Sequence, residues 1–381
     1  MKRRLARDAA WSWFADPRAI RSGDTTFVGY VTRRGHVEVA AFTGSETKVH
    51  RLHSRLARND HASPALLVRR DGRIAAFYSA HNGPAMLSRI TERPGDVTAW
   101  GPEIEIGADL RGDRGHTYPN PVSLGDAVLL FWRGPRWDPV VAESRDDGTT
   151  WSAPQTLLEA VDRPYMKVAG AGRSVHLVYT DGHPDAASPN RIWYLERRDD
   201  GFHRADGTTA ATALPLRVEA GDLVHAGGRD WVWDIAAHAD GRPAIAFSSI
   251  VDRHSHRYAY ASFDGGRWVV HDLGDAGGSI QGDEEWAYSA GMAIDHAEPS
   301  TVYLIRRSRL GSLLERMTLE GGRWETTQLA RGRRGVEDLR PAVVRNHGGS
   351  SPVVVWLRGR YDHYRDYDLR MLGWPADGDR A

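Results

Sequence analysis

The sequence predicts an all-β fold, a single seven-bladed β-propeller over residues 1–381 with four antiparallel strands in each blade. Three observations predict it: short β-rich runs punctuated by glycine turns, two series of such turns that advance in step, and one pair of near-identical turn segments.

The runs come first. Residues 65–68, 74–78, 128–132, 175–179, 244–247 and 353–357 are rich in β-branched, aromatic and small apolar side chains and are bounded by turn residues, as in an antiparallel meander. One turn series falls at Gly23, Gly72, Gly125, Gly172, Gly241, near Ala297, and at Gly348. A second follows it at Gly44, Gly95, Gly148, Gly201, Gly265, Gly321 and Gly373. Two hairpins in every unit of about 50 residues make four strands, and such a sheet buries both faces only between like neighbours. Phe263-Asp264-Gly265-Gly266-Arg267-Trp268 and Leu319-Glu320-Gly321-Gly322-Arg323-Trp324 are near copies at equivalent turns, and residues 144–151 resemble the structural Asp-box turn of sialidase-type propellers. Too little chain follows Gly373 for a last outer strand, so the N-terminal ten residues are expected to close the final blade. Two packed β-sandwiches, the competing architecture, would not give seven paired turns in register.

Composition narrows the function. The 381 residues carry 50 basic and 50 acidic side chains, which lacks the electrostatic footprint of a nucleic-acid or membrane-surface binder. No apolar run is long enough for a membrane helix. Without cysteine there is neither disulfide, thiolate metal site nor cysteine nucleophile. The N-terminus shows no signal-peptide core, so a cytoplasmic chain is expected, or a secreted or periplasmic one if its start has been trimmed. A monomer or weak homo-oligomer is expected.

In a blade, the loop entering the inner strand and the loop after the second strand lie at one end of the ring. Entering loops hold Trp11 and Trp13, Asp60 and His61, His116 and Tyr118, Tyr165 and Lys167, Trp231 and Trp233, Tyr288, and Arg340; the others hold His81, Arg133, His183, Arg253 and His254, Arg306 and Arg307, and Arg358 and Tyr361. Aromatic planes stack on sugar rings while Arg and His pair with carboxylates, so this rim suits an acidic oligo- or polysaccharide. The competing reading makes Trp11, Trp13, Trp231, Trp233 and Trp286 plugs of the axial channel. His254-Ser255-His256 reads as a satisfied surface pair rather than a metal site.

The same loops resemble the ulvan lyases, seven-bladed propeller polysaccharide lyases within the wider BNR-repeat group. The resemblance is carried by residues 13–19, 60–66, 77–81, 116–121, 179–184 and 231–236. It implies that the family's two pocket histidines correspond to His61 and His81, its catalytic tyrosine to Tyr118 and its carboxylate-binding arginine to Arg133, with Tyr179 or Tyr165 as a further tyrosine. Lys167, Trp13, Trp233, His183 and Arg358 complete the expected substrate contacts.

The residue types support that chemistry independently. Elimination across C4–O4 of a uronate removes the C5 proton beside a carboxylate, so a cation must hold the carboxylate: Arg133, with His61 assisting. Tyr118 serves as base and acid if a neighbouring cation lowers its pKa, and His81 is the alternative base. The chemistry needs no cofactor; a structural calcium or other metal ion is compatible with it. The competing functions are a glycoside hydrolase releasing rhamnose from rhamnosyl-glucuronate and a non-catalytic carbohydrate-binding propeller.

Overall fold

A computed structural model describes residues 3–110, 115–160, 162–185, 189–281 and 285–375. Among these, seven antiparallel sheets follow one another in chain order. The inner strand of each blade packs against that of the next, and the ring closes between blade 7 and blade 1 through a parallel bridge from Ile20 to Arg345. The inner strands are Ala19–Ser22, Ala65–Val68, Thr117–Leu124, Met166–Ala171, Arg229–Ala237, Met292–Ile294 and Glu337–Val343.

Both turn series are where the sequence puts them, with one exception. Gly23 and Gly44, first of each series, sit at φ +56° and +55°, the left-handed region that glycine enters without a Cβ penalty. Gly373 is the exception: it lies inside the strand Asp366–Trp374, opposite Arg3. A Cβ there would stand 2.9 Å from Leu5 and 3.0 Å from Pro352, so close packing rather than a turn calls for glycine. The expected closure forms around it. Arg3–Ala6 pairs antiparallel with Asp366–Trp374 and supplies the outer strand of blade 7, tying the two ends of the chain together.

The long interval between Gly172 and Gly241 is spent on blade 4. There Thr209–Ala211 and Asp222–His225 extend the sheet, while Leu216–Arg217 pairs with Leu158–Glu159. The Asp-box is structural as expected. Asp146 accepts hydrogen bonds from the amides of Thr149 and Thr150 and from the hydroxyls of Ser144 and Thr150, which holds the turn closed. The core lies between blades, with Tyr78, Trp132, Tyr194, Tyr260 and Trp356 nearly or wholly hidden from solvent. No described helix is long and apolar enough to cross a membrane.

Candidate active site

Three inner strands lose register at the same end of the ring, between Thr117 and Asn120, Val232 and Asp234, and Leu339 and Ala342. Such bulges re-aim side chains at sheet ends. Tyr118 and Arg340 sit in two of them with φ of +64° and +52°, conformations that cost a residue with a Cβ roughly 1–2 kcal/mol. Packing over-determines both. In blade 2 the entering loop instead makes one 3-10 turn, Asp60–Ala62, capped by the Asn59 carboxamide oxygen, which accepts the His61 N–H at 3.0 Å.

The four residues expected to be catalytic meet at this end. The rings of His61 and His81 stack at 4.1 Å with planes 20° apart, and the Tyr118 ring lies 5.2 Å from His61. The Arg133 guanidinium covers the Tyr118 ring at 4.7 Å, reaches the Tyr165 hydroxyl at 3.2 Å and comes within 3.2 Å of His81 Nε2. His61, Tyr118 and Arg133 are each about 5% exposed. They form a packed cluster rather than a wide cavity. Its open edge is made by His81, Asn82, Tyr364 and Glu285.

Burial decides the protonation states. It pushes the Tyr118 phenol well above its ordinary value, reinforced by Tyr165 and opposed by Arg133. The lowering of Tyr118 by a cation, expected from the sequence, is therefore overridden, and the resting phenol is neutral. His81 is held far below the usual imidazole range by burial and then by His61 and Arg133. Burial lowers His61 too, but Asp60 opposes it: His61 Nδ1 stands 2.7 Å from Asp60 Oδ1. Asp60, wholly buried, resists the upward push of burial because Arg340 and His61 outweigh it. Its second oxygen takes the Tyr361 hydroxyl at 2.7 Å and the Arg340 guanidinium.

The remaining expected contacts divide. Tyr165 belongs to the cluster, 5.8 Å from Tyr118, and His183 packs between Tyr165 and Trp231 at 5.5 and 4.8 Å. Tyr179 does not: its ring lies in the core of blade 4 and its hydroxyl donates to Val218 O at 2.9 Å. Trp13 and Trp233 stack at 4.3 Å on the axis, their indole N–H groups given to Val232 O and Ser248 Oγ, which makes them the plug. Lys167 lies beneath it, bound to Trp13 O and Asp16. Arg358 is locked on Asp338, which Trp356 also contacts. These five are structural because their polar groups are already spent inside the protein. His256 is likewise not a surface residue; it is buried against Ser289 Oγ at 2.8 Å.

Sequence reasoning passed over Asn59, Tyr364, Asp185 and Glu285. Tyr364 stands edge-on to both imidazoles, 4.9 Å from His61 and 5.6 Å from His81. It escaped notice because the second strand of blade 7, Val354–His363, runs farther than its apolar stretch and carries the loop beyond Tyr361. Burial lifts Glu285 to about 7, with help from Asp60 and Asp185, and lifts Asp185 to about 6 against Arg163 and Arg229. Among the described residues no group of three His, Asp or Glu side chains is arranged to hold a metal ion.

A propeller with a cluster of this kind at one end of its axis defines a class, and the sequence matches it. Residues 25–276 fit the model of the BNR repeat-containing family, and the chain belongs to that family. More particularly, it is similar to two ulvan lyases. The Alteromonas sp. (strain LOR) enzyme is 26% identical over 66% of this chain, and the PL25 enzyme of Pseudoalteromonas sp. (strain PLSV) 24% identical over 67%. The matched region spans 63% of the length of each relative. Among solved structures, a PL25 ulvan lyase bound to -[GlcA(1-4)Rha3S]- superposes with a TM-score of 0.75 at 16% identity, covering 97% of this chain and 94% of the other. The polysaccharide lyase Uly1 follows at a TM-score of 0.57 and 10% identity, covering 97% of each chain.

Proposed function

We propose that the chain is a polysaccharide or oligosaccharide lyase that cleaves the bond to a uronic acid, glucuronate or iduronate beside rhamnose, by β-elimination. The observation that carries this reading is the contact of one guanidinium, two stacked imidazoles and a neutral phenol in a single cluster. Its similarity to the ulvan lyases points the same way.

Arg133 pairs with the uronate carboxylate and spreads the charge that builds on it as C5 loses its proton. His61 takes that proton. It is the better base of the pair because Asp60 stands behind it, whereas His81 faces the Arg133 cation. The electrons of the C5–H bond form the C4–C5 double bond and the C4–O4 bond breaks. Tyr118, neutral at rest, gives its proton to the leaving oxygen, and the side chains suffice without a cofactor.

A second reading has its own observation. Glu285, raised to about 7 by burial at the edge of the cluster, is the kind of protonated carboxyl that serves a glycoside hydrolase as general acid. The products separate the two. Incubation with sulfated and unsulfated glucuronate–rhamnose polymers and oligosaccharides is expected to generate the far-ultraviolet absorbance of a conjugated, unsaturated uronate. New reducing ends without that absorbance would favour hydrolysis, and neither signal would leave a carbohydrate-binding propeller.

A further inference from the structure

The polar contacts around the stacked imidazoles are over-specified. A neutral imidazole has one N–H and one lone pair, so each contact limits the other nitrogen. At His61 the neighbour is a carboxylate: Asp60 Oδ1 lies 2.7 Å from Nδ1, too close for two lone pairs to face each other, so Nδ1 carries the proton and Nε2 the lone pair. At His81 the neighbour is Asn59. The Asn59 carboxamide cannot be turned over, because its oxygen already accepts the His61 backbone N–H at 3.0 Å. Its NH2 group therefore faces His81 Nδ1, at 3.2 Å, as a donor. His81 Nδ1 must carry the lone pair and His81 Nε2 the proton.

That assignment sets His81 Nε2–H against Arg133 Nη2–H, 3.2 Å away, donor toward donor. Arg133 has relief: Nη1 donates to the Tyr165 hydroxyl and Nη2 lies 3.5 Å from Asn82 Oδ1. Among the described residues the Asn59 NH2 group has no second acceptor within hydrogen-bond distance. The two N–H groups at His81 and Arg133 thus converge on a point that only an acceptor can satisfy, and an anionic oxygen satisfies both.

We propose that Asn59 and Asp60 are positioning residues that fix opposite tautomers in the stacked pair, so that His81 Nε2–H and Arg133 form a two-donor clamp for a carboxylate while His61 keeps a free lone pair. The proposal rests on the uronate reading and assigns the carboxylate a second donor. It also exchanges the roles expected of the histidines, since His81 binds and His61 receives the proton.

The test does not depend on turnover. Long-range 1H–15N correlation spectra of 15N-histidine-labelled protein distinguish the two neutral tautomers directly. Expected in the wild type are Nδ1–H at His61 and Nε2–H at His81; the reverse tautomer at His81 overturns the proposal, even if the protein proves to be a lyase. Conversely, the expected spectra stand even if no unsaturated product forms. Asn59→Asp keeps an oxygen to cap His61 but offers His81 Nδ1 an acceptor. It should move the His81 proton to Nδ1 and weaken binding of sodium D-glucuronate about tenfold or more, the loss of one hydrogen bond to a charged group. Unchanged affinity alongside a moved proton would overturn the clamp. Methyl glucoside, which has no carboxylate, should bind the two proteins alike; an equal loss with that sugar would count against it as well.

Discussion

Tyr165 immediately precedes the inner strand Met166–Ala171 of blade 4, and Lys167 is that strand's second residue. At roughly 3.3 Å of rise per residue, Lys167 is about 7 Å deeper along the axis. The two regions they occupy, above and below the Trp13–Trp233 plug, use the same chemical types: aromatic rings, a cation and carboxylates. Below the plug, the Lys167 ammonium is bound to Trp13 O and Asp16, and both tryptophan N–H groups are matched to acceptors. Above it, Arg133 and His81 point donors at one another, and among the described residues the buried Glu285 Oε2 makes no hydrogen bond. Polar groups that are matched, as at Lys167, stabilise the ring. Groups that converge without matching, as at His81 and Arg133, are built to receive a ligand.

Tyr118→Phe should break this comparison most sharply if it is wrong. The substitution deletes one oxygen beside Tyr165 and leaves the ring against Phe14 and His61. If Tyr118 delivers the proton to the leaving group, turnover should fall by about two to four orders of magnitude while the urea midpoint barely moves. Retention of full activity would take the phenol out of the mechanism. A large loss of stability would move Tyr118 to the same category as Lys167.

Lys167→Met is the mirror experiment. It leaves Asp16 and Trp13 O without their cation in a region that is almost wholly buried, so a loss of about 3 kcal/mol in unfolding free energy is expected, near the lower end for one-sided removal of a buried pair. Denaturant unfolding measures it. The turnover number of the folded fraction should stay within about twofold of wild type, since no contact of Lys167 is a member of the His61 cluster. A selective collapse of turnover would show that the plug transmits strain to the site.

The fold was nearly all legible because its signals are local and repeated: a glycine needed at positive φ marks a turn whatever the strands around it contain. Gly373 was misread for the same reason, since packing on Leu5 and Pro352 also calls for glycine and no local pattern separates the two causes. The site was legible as a set of loops, because ring topology dictates which loops share an end. Four residues, His61, His81, Tyr118 and Arg133, could be assembled from that rule and the family resemblance. What the sequence did not reveal was satisfaction. Whether Arg358 or Arg133 has its hydrogen bonds spent depends on Asp338 lying beside one and not the other, a fact of side-chain placement. The same holds for the histidines, whose roles turn on Asp60 and Asn59 lying behind them.

The smallest effect should separate the two tyrosines that sequence reasoning left open. Tyr165 and Tyr179 flank one inner hairpin of blade 4, but the Tyr165 hydroxyl meets Arg133 whereas the Tyr179 hydroxyl donates to Val218 O. Tyr179→Phe removes one buried neutral hydrogen bond and leaves Val218 O to find another donor, which should cost about 1 kcal/mol of stability and nothing in KM or turnover. Tyr165→Phe should spare stability to a similar degree yet raise KM for a uronate substrate, because it frees Arg133 Nη1 from its orienting contact. If instead Tyr179→Phe alters KM and Tyr165→Phe does not, the line drawn between matched and unmatched regions lies in the wrong place, and the binding surface extends outward along blade 4 rather than across the axis.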